Sequence, residues 1–254
     1  MDRFAGKVVI VTGAGSGIGE GTARFFSQEG AAVVLVGHHR KNIAAVAADL
    51  PRERTFVKVA DVAKLADMES VVTATLREFG RLDVLVNNAG VFEGKDVAKT
   101  KPAEWDKVMS TNAGGVFNGT RAALPQLIKT RGCIVNVASV SGLGADWSSA
   151  AYNASKGAVV NLTRAMALDY GRKGVRVNSV CPSLTATNMT KEMLKNRKLL
   201  NKFKERMPLG RVAMPLDIAP VIAFLASDDA RFVNGVNLPV DGGVMASNGQ
   251  PDMG

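Results

Sequence analysis

Cysteine, histidine, tyrosine and tryptophan are scarce in this sequence, with two of each in 254 residues. Two cysteines are too few for a disulfide framework, and no zinc-ligand spacing is present. Cys133 and Cys181 lie in or at the end of valine-rich runs, so we expect buried free thiols. No apolar run approaches the roughly eighteen residues of a membrane helix, and no secretion signal is evident. We expect a cytoplasmic protein with no membrane partner.

The net charge of +9 is concentrated in part in one segment, KEMLKNRKLLNKFKER (residues 191–206), which holds seven of the 32 basic residues. Apolar residues recur at helical spacing in and just after it, which predicts an amphipathic helix with a solvated basic face. These residues are Met193, Leu200, Phe203 and Met207. Basic segments can bind nucleic acid, and that alternative predicts a steep salt dependence. Two Trp and two Tyr give no base-stacking platform, so we expect no nucleic-acid partner.

Short valine-rich runs alternate with segments of helical periodicity along the chain. Such runs are typical of strands that are covered on both faces. The alternation predicts an α/β fold: a single Rossmann-type domain over residues 1–254, with a doubly wound, seven-stranded parallel sheet flanked by helices. The predicted strands are 7–12, 32–37, 55–59, 82–87, 133–139, 175–181 and 236–240. The predicted helices are 18–28, 41–49, 64–78, 102–129 with a break near residue 111, 151–170 and 215–226.

A glycine-rich turn, TGAGSGIG (residues 12–19), joins the first strand to the first helix. Glycines let backbone N–H groups approach a pyrophosphate, which then lies at the positive end of the helix dipole. A glycine-rich turn by itself is a weak signal, because a plain strand-to-helix turn can look the same. Its place after the first strand of a βαβ pattern predicts a dinucleotide site.

Tyr152 and Lys156 lie four residues apart at the start of a predicted helix, on one face. Tyrosine titrates at roughly pH 10, but a neighbouring ammonium favours the phenolate and lowers the pKa of the phenol. The pair is therefore a candidate acid–base centre, although a surface Tyr and Lys one turn apart is also a common arrangement. Ser139 and Ser183 follow other strands, and carboxyl ends of parallel strands converge on one crevice.

Seven stretches together resemble the short-chain dehydrogenase/reductase family in its single-domain form. They are TGAGSGIG, Asp61-Val62, NNAG (residues 87–90), Asn112, Ser139, YNASK (residues 152–156) and VDGG (residues 240–243). The match spans residues 7–243. Three further stretches, ASVSGLGADW, KGAVVNLTRAMALDYG and CPSLTATNMT, are similar to bacterial 2,3-butanediol dehydrogenases and acetoin reductases.

The resemblance implies hydride transfer between a nicotinamide cofactor and a ketone or secondary alcohol, with small diketones and hydroxyketones as expected substrates. Tyr152 would be the general acid in reduction and the base in oxidation. Lys156 would lower the pKa of Tyr152 and bind the nicotinamide ribose. Ser139 would hold the substrate oxygen, and Asn112 would anchor a water that relays protons to Lys156. The reaction needs no catalytic metal.

The resemblance also implies a set of cofactor contacts. The turn would bind phosphate and ribose, Asp61-Val62 the adenine edge, and Thr187 the carboxamide. The full predicted set is Gly13, Ser16, Gly17, Ile18, Gly19, Gly37, His38, His39, Arg40, Asp61, Val62, Asn88, Ala89, Gly90, Tyr152, Lys156, Pro182, Ser183 and Thr187. Relatives usually have Pro-Gly at Pro182-Ser183, so the added hydroxymethyl group should fit but narrow the space beside the nicotinamide.

Substrate specificity is expected in a lid at about residues 184–210. The predicted pocket is apolar, with the residues Phe92, Ser139, Leu143, Trp147, Leu184, Met189 and Phe203. In relatives the helices around residues 112–129 and 151–170 pair between subunits, which suggests a homotetramer.

The stretch GHHRKN (residues 37–42) predicts the cofactor. NAD-preferring relatives carry an Asp where this chain has Gly37, and a glycine leaves room for a 2′-phosphate that His38, His39 and Arg40 could grip. We therefore predict NADP. NAD use stays open, because Ser16 stands where NADP users often have a basic residue. A solvated loop is a second alternative; metal binding has little support, since adjacent side chains point apart.

A nucleotide-binding regulator on the same fold is the alternative from another class, because fold alone does not determine function. The presence of Asn112, Ser139, Tyr152 and Lys156 together argues against it, since a regulator needs none of them. The sequence therefore favours an enzyme.

Overall fold

The computed structural model describes residues 2–250, so Met1 and residues 251–254 of the expected domain lie outside the described residues. Seven strands form one parallel sheet in the order β3-β2-β1-β4-β5-β6-β7. Their bounds are β1 Val8–Thr12, β2 Ala32–Gly37, β3 Thr55–Val59, β4 Val84–Asn87, β5 Cys133–Val137, β6 Arg176–Pro182 and β7 Asn237–Val240. The predicted doubly wound sheet and its seven strands are confirmed, with ends shifted by one or two residues.

Helices connect these strands and cover both faces of the sheet. Their bounds are α1 Gly17–Gln28, α2 Arg40–Ala48, α3 Leu65–Phe79, α4 Pro102–Met109, α5 Gly115–Thr130, α6 Val140–Leu143, α7 Ala150–Gly171, α8 Lys191–Lys195, α9 Arg197–Glu205 and α10 Pro215–Ala226. The predicted break in the fourth helix is a π-helical turn, Ser110–Gly114. The short helix α6 was not predicted. None of the helices within residues 2–250 is long and apolar enough to span a membrane.

Side chains that point alternately to the two faces of the sheet form two layers of the hydrophobic core. In β1, Val8 and Ile10 pack on the side of α3, α5 and α7, whereas Val9 and Val11 pack on the side of α1, α2 and α10. Successive side chains of a strand point to opposite faces, so a strand that is apolar at every position needs helices on both sides. The predicted free thiols are confirmed: Cys133 and Cys181 are buried and unpaired.

The segment 191–206 differs from its prediction as one continuous helix. It forms α8 and α9, which are separated at Asn196, where the backbone is extended and the side chain accepts a hydrogen bond from Leu199 N at 3.1 Å. Asparagine is a preferred N-cap because its oxygen satisfies a free N–H of the first turn. The apolar side chains of the segment are half-buried or buried as predicted.

The order in which successive strands are added to the sheet reverses between β1 and β4. From β1 the chain builds outward through β2 to β3, and then crosses back to β4 on the other side of β1. In open parallel sheets, ligands bind outside the carboxyl ends of the strands at such a point. The structure therefore positions a site beyond Thr12, Asn87 and Val137.

Candidate active site

A cleft of about 1650 Å³ opens at this edge of the sheet. Residues from the ends of β1, β2, β4, β5 and β6 line it, together with side chains of α7, α8 and α9. All but five of the predicted site residues line it; the exceptions are Gly19, Arg40, Asp61, Asn112 and Leu143. The structure thus brings the predicted phosphate turn, the Tyr–Lys pair and Ser139 to one cavity.

The glycine turn is shaped by close contacts. Gly13 and Gly17 have φ values of 67° and 58°, the left-handed region that favours glycine. Gly19 does not face the cleft, because a Cβ there would lie 2.2 Å from the Gly13 carbonyl oxygen. Ser16 precedes α1 in an extended conformation and makes no side-chain cap bond. The first N–H groups of α1 are therefore left for an anion, as in other helix N-terminal phosphate sites.

Thr12 holds this turn against the loop after β4, a role that was not predicted from the sequence. Its hydroxyl accepts hydrogen bonds from Asn88 N at 2.9 Å and Ala89 N at 3.1 Å, and its carbonyl accepts one from Asn88 Nδ2 at 2.8 Å. A single polar residue at the end of the run VVIVT was the available signal. Asn88 thus fixes the two loops that would enclose a nucleotide.

Lys156 lies buried beneath the cleft, with only 5% of its surface exposed. Its ammonium donates a hydrogen bond to the Val137 carbonyl at 2.8 Å and lies 5.7 Å from the centre of the Tyr152 ring. Burial lowers the pKa of Lys156 to about 8. A charged amine in a poorly solvated site loses hydration, which favours its neutral form.

Tyr152 contradicts the expected direction of its pKa. Burial raises the pKa of the phenol to about 12; the Ser139 side chain opposes this, and the charge of Asp146 adds to it. Lys156, whose Nζ donates to the Val137 carbonyl, does not offset this rise. Phe92 packs edge-on against the Tyr152 ring at 5.1 Å. The loss of hydration, which the sequence does not show, therefore exceeds the effect of the neighbouring lysine.

Asn112 is fixed in the π-helical turn and is buried. Its Oδ1 accepts a hydrogen bond from Val91 N at 2.8 Å, and its Nδ2 donates to Val91 O at 2.9 Å and to Ser155 Oγ at 3.0 Å. Both amide N–H groups are therefore engaged in joining the loop after β4 to α7. The predicted water anchored by Asn112 stays a prediction.

Ser139 lies at the N-cap of α6 and belongs to a hydrogen-bonded series that was not predicted. Its Oγ lies 2.9 Å from Ser141 Oγ and accepts a hydrogen bond from Ser141 N at 3.1 Å. Ser141 in turn donates to the carboxylate of Asp146. The Ser-Val-Ser spacing was the only sign of this arrangement in the sequence.

The predicted adenosine end of the cleft is formed by Gly37, His38 and His39. His38 Nε2 lies 3.3 Å from Asp61 Oδ1, so Asp61 contacts the histidine and does not line the cleft; Val62 does. Arg40 is exposed at the first residue of α2 and also lies outside the lining. The fold brings Asp61 to His38 because β2 and β3 are paired with Gly37 beside Val59.

The substrate end departs from its prediction at one residue. Leu143 does not line the cleft, because its side chain packs against the core layer that includes Val159 and Val160 of α7. Trp147 lies at the rim with 97% of its surface exposed. The other predicted pocket residues line the cleft, as do further apolar residues that were not predicted to: Met193, Leu199, Met207, Val244 and Met245.

Ser183 and Thr187 join the later part of the chain to the site. Ser183 Oγ donates to the Asp241 carbonyl at 3.0 Å, so the added hydroxymethyl group is bound by the loop after β7. Thr187 lies against the glycine turn, since a Cβ on Gly17 would be 2.9 Å from Thr187 Cγ2. The first residues of the predicted lid therefore contact the phosphate turn directly.

Comparison with known proteins agrees with this geometry. Residues 13–245 match the family described as Enoyl-(Acyl carrier protein) reductase. The chain is 53% identical over 249 residues to the meso-2,3-butanediol dehydrogenase of Serratia marcescens, with 98% of each chain covered. A solved short-chain dehydrogenase/reductase from Brucella melitensis matches with a TM-score of 0.91 and 38% identity, covering 95% of this chain and 98% of that chain.

A second solved structure from Brucella melitensis, a 3-ketoacyl-(acyl-carrier-protein) reductase complexed with NADH, matches with a TM-score of 0.88 and 35% identity. The match covers 94% of this chain and 98% of that chain. These matches extend over almost the whole sheet and the cleft. The chain therefore belongs to the short-chain dehydrogenase/reductase family and is an oxidoreductase of the alcohol dehydrogenase or carbonyl reductase type.

Proposed function

We propose that the enzyme transfers a hydride between NADP(H) and small diketones, hydroxyketones or the corresponding alcohols. One observation carries the proposal: Ser139, Tyr152 and Lys156 line the same cleft as the glycine turn at the N-terminus of α1. The 53% identity to a protein named meso-2,3-butanediol dehydrogenase supports small diols and hydroxyketones as the substrate class. The apolar lining by Phe92, Met189 and Phe203 supports small ketones over charged substrates.

The residues at the glycine turn fit a dinucleotide. Gly13 and Gly17 keep side chains out of the turn, and the free N–H groups at the start of α1 suit a pyrophosphate. When bound, the nicotinamide supplies or accepts the hydride. In reduction, Tyr152 donates a proton to the carbonyl oxygen of the substrate, and Ser139 holds that oxygen by a hydrogen bond.

The pKa of about 12 for Tyr152 affects reduction and oxidation differently. The phenol is protonated at neutral pH, as an acid for carbonyl reduction must be. Alcohol oxidation needs the phenolate, so its rate should rise with pH across the alkaline range. The buried ammonium of Lys156 stands beneath the ring and favours that phenolate when it forms.

For the cofactor, NADP is supported by Gly37, which leaves room at the end of β2, and by the exposed His38 and His39 in the cleft lining. NAD-dependent butanediol dehydrogenase activity is the second candidate. It is favoured by the carboxylate of Asp61 beside His38 and by the position of Arg40 outside the lining. NADP carries a 2′-phosphate on its adenosine ribose and NAD does not, so the two candidates differ in whether the protein binds this phosphate.

Initial rates of diacetyl reduction with NADPH and NADH, measured side by side, test this proposal. A clear preference for NADPH supports NADP, and a preference for NADH supports the second candidate. We expect His38→Ala and Arg40→Ala to raise the KM for NADPH far more than the KM for NADH. Lys41→Ala, an exposed cation on the same helix, is the matched control. Equal effects on both cofactors would refute contact with a 2′-phosphate.

We also propose that the protein is a homotetramer. Large apolar side chains are exposed on α4, α5 and α7: Trp105 at 41%, Phe117 at 49% and Leu168 at 83%. Exposed apolar surface of this kind is typical of subunit contacts. Size-exclusion chromatography with light scattering should give four times the 26.7 kDa chain mass, and a monomer would remove the proposal.

The basic segment of α8 and α9 fits a substrate lid better than a nucleic-acid surface. Its apolar side chains Met193, Leu199 and Phe203 line the cleft, which supports a lid that covers the substrate. Binding of DNA with steep salt dependence would contradict this assignment. A cytoplasmic location stays a prediction from the sequence.

A further inference from the structure

Two polar residues linked to Ser139 are not among the groups that bind or protonate the substrate in the reaction proposed above. Ser141 is buried, and its hydroxyl lies 2.9 Å from Ser139 Oγ. The same hydroxyl donates to Asp146 Oδ2. Asp146 is exposed at the mouth of the cleft. Ser139 is thus connected through Ser141 to a carboxylate at the surface.

Asp146 is held in place by the catalytic helix. Its backbone N donates to Asn153 Oδ1 at 3.2 Å, and its carbonyl accepts from Asn153 Nδ2 at 2.9 Å. Asn153 follows Tyr152 directly in α7. The carboxylate therefore keeps a fixed position relative to the proposed acid.

The chemistry of these groups sets the direction of each hydrogen bond. An ionised carboxylate only accepts, so the single proton of Ser141 is given to Asp146. Ser141 is then the acceptor in its contact with Ser139, and Ser139 is the donor. Of the other groups near Ser139 Oγ, the Pro182 carbonyl is 3.5 Å away, at the limit of a hydrogen bond, and the Tyr152 phenol carries its own proton and can be the donor.

We propose that Ser141 and Asp146 are positioning residues that direct the proton of Ser139 to Ser141 and away from a bound substrate oxygen. Ser139 then presents a lone pair to the substrate and accepts a hydrogen bond from an alcohol. A ketone has to compete with Ser141 for the only proton of Ser139. The pair thus favours binding of the hydroxyl form of the substrate, an inference that rests on the proposed function of Ser139.

Two substitutions test this inference in the full-length enzyme. Ser141→Ala removes the competing acceptor. Asp146→Asn supplies an amide donor, so that Ser141 can donate to Ser139 and release the proton of Ser139 for a ketone. In both variants we expect the ratio of the KM for 2,3-butanediol to the KM for diacetyl to rise about fivefold, the factor typical of one net hydrogen bond.

Glu69→Gln, which removes an exposed carboxylate from α3, is the matched control and should leave the ratio unchanged. A purely structural role would raise both KM values by a similar factor, and that result, or an unchanged ratio, would overturn the inference. If Ser141→Ala fails to fold, Asp146→Asn still tests the inference, because Asp146 is exposed. A wild-type enzyme that turns over neither compound would instead refute the proposed function.

Discussion

The side of the cleft that holds the proposed catalytic residues and the proposed lid, α8 and α9, are built differently. Asn112, Ser139 and Lys156 are each less than 10% exposed and are bound through backbone or side-chain hydrogen bonds. In α8 and α9, as the structure describes them, no residue is buried, and the side-chain hydrogen bonds are the Asn196 cap and the Glu192–Lys195 pair.

This difference separates chemistry from recognition. Groups that move protons act best when their positions are fixed before the substrate arrives. A segment with few buried contacts opens at a small free-energy cost and can adapt to different substrates. Changes on the catalytic side should therefore alter turnover or stability, whereas changes in α8 and α9 should alter substrate affinity.

The largest effect is expected from Tyr152→Phe. It removes the proposed proton donor but keeps the ring that packs on Phe92, so turnover should fall by about three orders of magnitude with cofactor binding nearly unchanged. Steady-state rates and cofactor titration measure both. Tyr170→Phe, the other tyrosine of the same helix, is the control. Substantial residual turnover would overturn the acid–base assignment.

Gly19→Ala should be the next most severe change. The new Cβ would lie 2.2 Å from the Gly13 carbonyl oxygen and 2.4 Å from Asn88 Nδ2, so the phosphate turn must shift. We expect a loss of about 3 kcal/mol in the free energy of unfolding and weaker cofactor binding. Urea denaturation measures the free energy of unfolding, and titration with the cofactor measures its binding.

Gly157→Ala in α7 is the matched control for that substitution. Its Cβ would meet nothing closer than the Gly142 carbonyl at 4.0 Å. It should stabilise the protein by up to about 1 kcal/mol, since alanine loses less backbone entropy in a helix. Equal destabilisation by both variants would show that the close contact at Gly19 does not cause the loss of stability.

Lys156→Met should abolish turnover and yet stabilise the fold at neutral pH. A fall in the pKa of Lys156 from 10.5 to about 8 means that keeping it charged costs about 3 kcal/mol in the folded state. Loss of its hydrogen bond to Val137 offsets about 1 kcal/mol. A net gain of about 2 kcal/mol is expected in denaturation at pH 7.

The pH dependence of that gain follows from the sign of the shift. The folded state binds fewer protons than the unfolded state between about pH 8 and 10.5, so wild-type stability rises with pH across this window. The advantage of Lys156→Met should be complete below about pH 8 and shrink up to about pH 10.5. A gain that does not vary with pH would contradict the burial of a charged amine.

The smallest effect is expected from Asn196→Ala in the segment over the cleft. It removes the cap of α9, worth about 1 kcal/mol, at a position where the chain is exposed. The KM for diacetyl should rise severalfold, while kcat and the melting temperature change little. Asn201→Ala, exposed on the same helix, is the control. A large fall in kcat would place this segment in the chemistry.

The sheet was predictable from the sequence because most strands are short, valine-rich runs, and alternation with helices allows few topologies. Residues 191–206 were only partly predictable. Their apolar periodicity continues across Asn196, so nothing in the pattern marks the break between α8 and α9. Local patterns give the element type, but a cap can divide an element without changing its periodicity.

Within the site, residue identity was more predictable than electrostatics. Tyr152 and Lys156 were proposed from their spacing and both line the cleft, but the raised pKa of Tyr152 depends on burial by distant elements. The contact of His38 with Asp61 likewise depends on the pairing of β2 with β3. The roles of Thr12 and Ser141 come from hydrogen bonds that no linear motif describes.

The proposed reaction of this cleft is hydride transfer from a nicotinamide to a carbonyl carbon. The most direct test is diacetyl reduction with NADPH that carries deuterium at both C4 positions, followed by mass spectrometry and NMR of the product. Hydride transfer from the cofactor should give acetoin with one deuterium at the new carbinol carbon, and Tyr152→Phe should form none on the same timescale. Acetoin without deuterium would contradict it.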